Sequence, residues 1–270
     1  MIPTRPTIKD RRFRCLEQAP WAAESKAYFA ALATNGVTAT QAQRDAYNIF
    51  IATGKREGWL SGIQRMFIPV WGVAAANAVD AILPSRSGTW VGTVTHTGKA
   101  ATSDGTTGYL DMVLNTTTSG MNDLGFWLAV HQLAGGVGMS RVELPIGGAG
   151  GGAQATTAVY VDGHYFNSGT TLPHSQPLAS TVGLILGYRS TVNRGVVAYN
   201  GTIISSHQAA PAEAAYAGAI YGLAVPSAGT PVYHSDRPTA LLVAGNSTIT
   251  PAQSEAIAVR LHTLVTKLRA

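Results

Sequence analysis

The sequence predicts a mainly β protein: an antiparallel β-sandwich or barrel with a helical segment before it and one helix after it. Three observations carry this. First, Tyr109-Leu110-Asp111-Met112-Val113-Leu114 alternates, with Leu110, Met112 and Leu114 on one side and Tyr109, Asp111 and Val113 on the other. Leu124-Gly125-Phe126-Trp127-Leu128-Ala129-Val130-His131 repeats the pattern, with Phe126, Leu128 and Val130 sharing a face. Side chains on a strand alternate with period two, so these are two half-buried strands presenting apolar faces to a common core. Second, Asp162-Gly163 and Asn200-Gly201 each sit between two apolar runs. Type I′ turns need positive φ at both central residues, which such dipeptides tolerate, so both mark hairpins. Third, short strand-like runs separated by turn residues continue from Thr89 almost to the end.

Composition sets the frame. The 270 residues allow one large β domain with additions, or two domains. The division predicted here is residues 1–85, a basic arm with a helical segment for docking and assembly, and residues 86–270, a sandwich with its C-terminal helix. Cys15 is the one cysteine, so no intrachain disulfide can form, which suits folding in a reducing cytoplasm. It reads as a free structural thiol. Charged residues make up only 12% of the chain, while small residues are abundant, as suits a protein that buries surface in an assembly. The start lacks the apolar core of a signal peptide, and no uncharged run is apolar enough to cross a bilayer.

The elements follow in order. Met1 to Pro20 carries Pro3 and Pro6 and then the basic cluster Arg5, Lys9, Arg11, Arg12 and Arg14, opposed only by Asp10 and Glu17. It reads as an extended arm that docks on a neighbouring subunit or an acidic surface, or as a solvated tail. Trp21 to Thr34 is Ala-rich and helical. After the break at Gly36, Thr40 can cap a second helix with Gln43 as its capping-box partner. Tyr47, Phe50 and Ile51 lie at helical spacing on it, and Gly54 ends it. Glu57 to Met66 reads as a further short helix with the stripe Leu60, Ile63 and Met66. Core packing accounts for these stripes. Phe67 to Trp71 reads as an edge strand or strand start because of Pro69. Ala74 to Ile82 holds a turn or two of helix, and residues 84–88 form a loop.

From Thr89 the period changes to two. The predicted strands are Thr89–Thr95, Gly108–Asn115, Gly125–Gln132, Ser140–Ile146, Ala158–Val161, His164–Phe166, Val182–Tyr188, Gly195–Tyr199, Thr202–Ser206, Ala219–Ala224 and Pro238–Ala244. Thr250, Pro251 and Gln253 announce a final helix with the stripe Ile257, Leu261, Leu264, Val265 and Leu268. That stripe should lie on the sandwich or on the N-terminal helices.

Chemistry is sparse. No two acids stand two residues apart, as a paired-carboxylate site on one strand would require. The seven histidines are isolated, and His164 with His174 is the one pair bracketing a loop. No Gly-x-Ser-x-Gly elbow occurs. The run Gly147 to Gly152 lacks the Lys-Ser/Thr of a phosphate loop and reads as a flexible or backbone-packed loop. No catalytic residue, metal ligand or cofactor site emerges. Aromatic faces can stack on sugar C–H surfaces or fill a core. Core packing is the first reading for each of Trp90, Trp127, Tyr160, Tyr165, Tyr188 and Tyr199, and the glycan-facing candidates among them are Tyr160, Tyr165 and Tyr199.

Several stretches have a family likeness: Asn35-Gly36-Val37-Thr38 leading to Ala46-Tyr47-Asn48 and Gly58-Trp59-Leu60; Phe67-Ile68-Pro69-Val70 with Ala74 to Val79; and Asp104-Gly105-Thr106-Thr107-Gly108-Tyr109-Leu110-Asp111. With the Asn-Gly hairpin and the final Thr-Pro-Ala-Gln helix, the chain from about Asn35 resembles tailed-bacteriophage virion proteins that carry a concanavalin A-like lectin/glucanase jelly roll. The resemblance implies that fold, and a non-enzymatic structural subunit of the phage particle: a tail fibre, collar, or head appendage or decoration protein. It implies location in the virion after synthesis in the host cytoplasm, other virion proteins as partners, a homo-oligomer (a trimer first), and a possible part in host attachment. The alternative is a carbohydrate-binding module that recognises a host surface glycan; a glycan-degrading enzyme of the same fold comes third. Five cations with only Phe13 among them suit protein docking better than nucleic acid.

Overall fold

The computed structural model describes residues 21–116, 125–133, 143–150, 153–160, 163–167, 174–176, 182–190, 192–199, 203–209, 218–227, 230–246 and 249–270. The basic arm, with Arg5, Lys9, Arg11, Arg12 and Arg14, lies outside the described residues, as does Cys15.

Helix α1 spans Ala23–Thr34. Helix α2 spans Gln41–Glu57, and its capping box forms as expected: Thr40 Oγ1 accepts from Gln43 N–H while the Gln43 side chain accepts from Thr40 N–H. The helix does not stop at Gly54. It runs one turn further, to Gly58, whose left-handed φ of 81° closes it. Gly54 serves packing instead, since a Cβ there would stand 2.8 Å from the Trp59 indole. The short helix expected over Glu57–Met66 is replaced by a 3-10 turn, Leu60–Gly62, and strand β1, Ile63–Phe67. Ile63, Met66 and Phe67 are buried, and β1 pairs antiparallel with β17, Thr239–Gly245. Apolar Ile63, Met66 and Phe67 with Gln64 and Arg65 between them fit a strand as well as a helix, and only the pairing partner decides between them. Helix α3, Ala74–Asn77, is a single turn.

The remaining strands make two predominantly antiparallel sheets. The first sheet runs in the order β13 (Ile203–Ala209), β12 (Asn193–Tyr199), β11 (Gly183–Ser190), β6 (Gly125–Gln132), β17, β4 (Ala101–Ser103), β3 (Val94–His96), with β1 also on β17. The second runs β10 (His174–Gln176), β9 (Gly163–Asn167), β8 (Ala153–Tyr160), β7 (Glu143–Gly150), β14 (Ala219–Gly222), β5 (Tyr109–Asn115), β2 (Thr89–Val91). Short strands β15 (Val225–Ser227) and β16 (Thr230–Val232) pair beside β7. The single strand expected over Thr89–Thr95 is two strands, one in each sheet. Gly92, at φ 69°, turns the chain between them, and a Cβ there would lie 2.2 Å from the Thr107 carbonyl oxygen. The glycine run expected as a loop is strand through Gly150.

Both predicted hairpins pair, with shifted centres. Tyr160 is opposite Gly163, one residue earlier than a turn centred on Asp162-Gly163 would place the pairing. Tyr199 is opposite Ile203, so three residues rather than two separate the paired positions. The conformations of Asp162 and Gly201 lie outside the described residues.

The two sheets face each other across one core. Leu110, Met112 and Leu114 of β5 meet Phe126, Leu128 and Val130 of β6 there, together with Ile146, Ile185, Val196, Ile220 and Leu242. The alternation of those two strands therefore reports a shared core, as predicted. A second core covers the other face of the first sheet. It joins Trp127, Ala129, Leu241 and Val243 to Tyr28, Tyr47 and Phe50 of α1 and α2. It also takes in Ile257, Leu261, Leu264, Val265 and Leu268 of helix α4, Pro251–Leu268. Helix α4 thus lies on the sheet and against α2 at once, with Arg260 bonding Glu57 at 3.1 Å. Strand β6, expected half-buried, is buried on both faces because helices cover its far side. The apolar stripes of residues 21–85 are satisfied within the chain, and β1 from that region is part of the sandwich. The fold is a β-sandwich with one face carrying a helical layer. No helix among the described residues is long and apolar enough to cross a membrane.

Candidate functional site: an aromatic platform on the open face

The outer face of the second sheet carries no described helix. On it, one cross-strand row runs Thr89, Asp111, Tyr221, Gly147, because Thr89 pairs with Asp111, Asp111 with Tyr221 and Tyr221 with Gly147. Alternation puts this row outward. The neighbours Trp90, Leu110, Gly222 and Ile146 form the next row and face the core: Leu110 and Ile146 belong to it, and a Cβ on Gly222 would meet Leu242 at 2.5 Å. Tyr109, two residues from Asp111, shares the outer face, and its ring lies 4.8 Å from that of Tyr221 at 32°. His234 stands 6.2 Å from Tyr109 and donates through Nδ1 to the Gly108 carbonyl at 3.0 Å. Gly147 beside Tyr221 presents no side chain and is itself buried.

Strand β5 is bent to build this face. Between the Asn115–Ala219 and Asp111–Tyr221 pairs the register shifts, leaving extra residues on β5. Val113 sits at the bulge with φ 49° and is 54% exposed, an outlier for a β-branched residue. Two side chains hold it. Asp111 Oδ1 accepts from Val113 N–H at 2.8 Å. From beneath, buried Arg65 donates Nε to Met112 O at 3.0 Å and Nη2 to Val113 O at 2.8 Å. Arg65 is in turn 3.7 Å from Asp80. Burial pushes Asp80 up to about 6 despite its backbone donors and Arg65.

Among the described residues, the non-glycine positions with positive φ are Val113, Leu223 and Tyr233. All three flank the platform: Val113 on β5 beyond Asp111, Leu223 directly after Gly222, and Tyr233 next to His234. Such strain costs about 1–3 kcal/mol per residue and clusters where a surface must be held in a set shape. Val91, opposite Tyr109, and Val113 and Tyr233 are also among the exposed large apolar residues.

The platform's polar groups hold fixed charge states. Burial, then Asp111 and Tyr109, raise the pKa of Tyr221, so its hydroxyl stays protonated. At one end, Asp104 closes its own loop. It accepts from the backbone N–H of Thr106, Thr107 and Gly108 and from the Thr107 hydroxyl, and these donors, led by Thr107, hold its carboxyl well below the usual carboxylate range. Asp236 adjoins that loop at Gly105.

Other polar groupings join the first sheet to α4. His131 Nε2 lies 3.2 Å from His262 Nδ1, joining β6 to α4. Tyr188 bonds His207 at 2.7 Å, and His207 lies 3.6 Å from Glu255. Burial and Glu255 push Tyr188 up to about 12, so its hydroxyl is protonated at neutral pH. A cleft of about 560 Å³ between α2, the 3-10 turn and the 82–86 loop has an apolar floor of Leu60, Ile63, Ile82 and Leu83, and its rim charges Glu24 and Lys55 already pair at 2.7 Å. Among the described residues, no three His, Cys, Asp or Glu side chains converge as a metal site.

The predicted glycan-facing tyrosines fall on both sheets. Tyr160 and Tyr165 lie on β8 and β9 of the second sheet, whereas Tyr199 lies on β12 of the first. Their side chains lie outside the described residues. The sequence does not single out Tyr109 and Tyr221, which form the platform, for sugar contact. The signal it does hold is the alternation that places Tyr109 opposite Leu110.

No known protein family matches this sequence, and no curated protein matches it. Partial likenesses to solved structures exist at low identity. A mutant Trypanosoma rangeli sialidase displaying trans-sialidase activity is 12% identical with a TM-score of 0.49, over 80% of this chain and 39% of that one. T. rangeli sialidase in complex with sialic acid is 12% identical at 0.48, over 74% and 33%. The Ruminococcus gnavus IT-sialidase CBM40 bound to α2,3-sialyllactose is 10% identical at 0.36, over 50% and 81%. The chain thus spans about a third to two-fifths of the sialidase chains it matches.

Proposed function

We propose that this protein is a non-enzymatic carbohydrate-binding module whose binding surface is the outer face of the second sheet around Tyr109 and Tyr221. The observation that carries this is the half-buried tyrosine pair, Tyr109 on the bulged strand β5 and Tyr221 beside it on β14, flanked by strained residues. Tyrosine supplies rigid, amphipathic contact area at little entropic cost, and its faces stack on sugar C–H surfaces while the hydroxyl and neighbouring carboxylate serve sugar hydroxyls. The resemblance to phage virion proteins is the sole support for placing the module on a particle appendage, and it makes a host surface glycan the natural ligand.

An oligosaccharide array followed by calorimetry tests the proposal. The native chain should retain at least one glycan without releasing reducing ends, and Tyr221→Ala should lose at least about tenfold in affinity while melting within a few degrees of the native protein. Release of reducing ends would make the module an enzyme, and undiminished binding by Tyr221→Ala would move the site elsewhere.

A further inference from the structure

We infer that the platform selects neutral sugars and rejects those bearing a carboxylate; this rests on the proposed glycan-binding face and names its ligand class. At neutral pH the charges that the described residues bring to the face are negative. Asp111 lies in the same cross-strand row as Tyr221, at its paired position, and close enough to act on the Tyr221 hydroxyl. Asp104 and Asp236 stand at the end of the face where the 104–108 loop meets the segment carrying His234. Buried Arg65 lies under β5 with its guanidinium committed to the Gln64, Met112 and Val113 carbonyls and facing Asp80, so it offers nothing outward, and Arg237, next to Asp236, is buried as well. A hexose hydroxyl can donate to the Asp111 carboxylate. An acidic sugar seated on the same rings would bring a second carboxylate to it without a donor between them. Like charges about 5 Å apart in water lose roughly fourfold in affinity.

The experiment uses matched pairs of immobilised oligosaccharides, neutral and capped with a carboxylated sugar, with lactose and sialyllactose as one pair. The full chain is compared with Asp111→Asn and Asp236→Asn. Asparagine keeps an acceptor for Val113 N–H, so the bulge survives the first substitution. In each pair that binds, the neutral member should bind about fourfold or more tighter at low salt. Higher salt should narrow the gap, as should Asp111→Asn, with Asp236→Asn giving a smaller effect in the same direction. Equal or tighter binding of the acidic members by the native chain would overturn the selectivity and leave the carbohydrate face standing. Failure of every neutral and acidic member to bind would remove the carbohydrate face and the selectivity with it.

Discussion

The two sheets begin from the same kind of strand and end with opposite outer faces. On β6 the residues turned away from the sandwich core, Trp127, Ala129 and His131, are sealed under the helical layer. On β5 the corresponding residues, Tyr109, Asp111 and Val113, remain half-buried or exposed, and Val113 is lifted outward by a bulge. Both strands alternate cleanly in sequence. Alternation states that one face is buried; what covers the other face depends on elements distant in the chain. Here α4 and the N-terminal helices cover one sheet, and no described helix covers the other. The contrast also divides the cost of change: the covered face carries stability, and the other face is the one proposed for recognition.

The sharpest way to break the contrast is to strip the covered face. Ending the chain at Thr250 removes α4 and exposes the surface that Ile257, Leu261, Leu264, Val265 and Leu268 cover. Each such residue contributes roughly 1.5–3 kcal/mol by burial, so the truncated protein should be unfolded or insoluble. A soluble product with a cooperative transition at the native temperature would show that the helical layer is dispensable.

A smaller blow to the same layer is Gly245→Ala. Its Cβ would lie 2.2 Å from the Trp127 indole, which is fully buried, and overpacking of this kind costs about 1–3 kcal/mol. Denaturant midpoints measure it, and an unchanged midpoint would mean that Trp127 has room to move.

Acid should act on the covered face as well. Burial, then His262 and Arg269, lower His131 to about 3, and burial and Arg269 lower His262. The folded state therefore favours the neutral rings. This stabilisation is complete above the unfolded value near 6.5 and is lost as pH falls from there toward 3. From about pH 6.5 to about pH 5 the loss for His131 is about 2 kcal/mol. Thermal melts across that range should follow this slope in the native protein and flatten in His131→Met.

The open face should show the least effect on stability. Tyr221→Ala removes a half-exposed ring and should cost no more than about 1 kcal/mol, while the binding it supports falls at least about tenfold. A loss of several kcal/mol would mean that the tyrosine pair is a structural seam rather than a recognition surface.

What local chemistry dictates was legible in the residues themselves. Both capping boxes, Thr40 with Gln43 and Thr250 with Gln253, lie within one turn of chain and form as read. The stripe of α4 and the strand over Gly125–Gln132 follow from periodicity alone. Tertiary structure decided the rest. Ile63 to Phe67 became a strand because β17 stands beside it, and the glycines from Gly147 became part of β7 because β8 and β14 supply ladder partners that no glycine pattern announces. The meeting of Tyr109 with Tyr221, and of His131 with His262, is likewise a product of sheet order and helix placement. The physical reason is one of range. A cap or an alternating face is settled by hydrogen bonds and side-chain directions within a few residues. Which strand lies beside which, and which face a helix then covers, is settled by burying apolar surface between segments far apart in the chain, where many pairings satisfy the same local pattern.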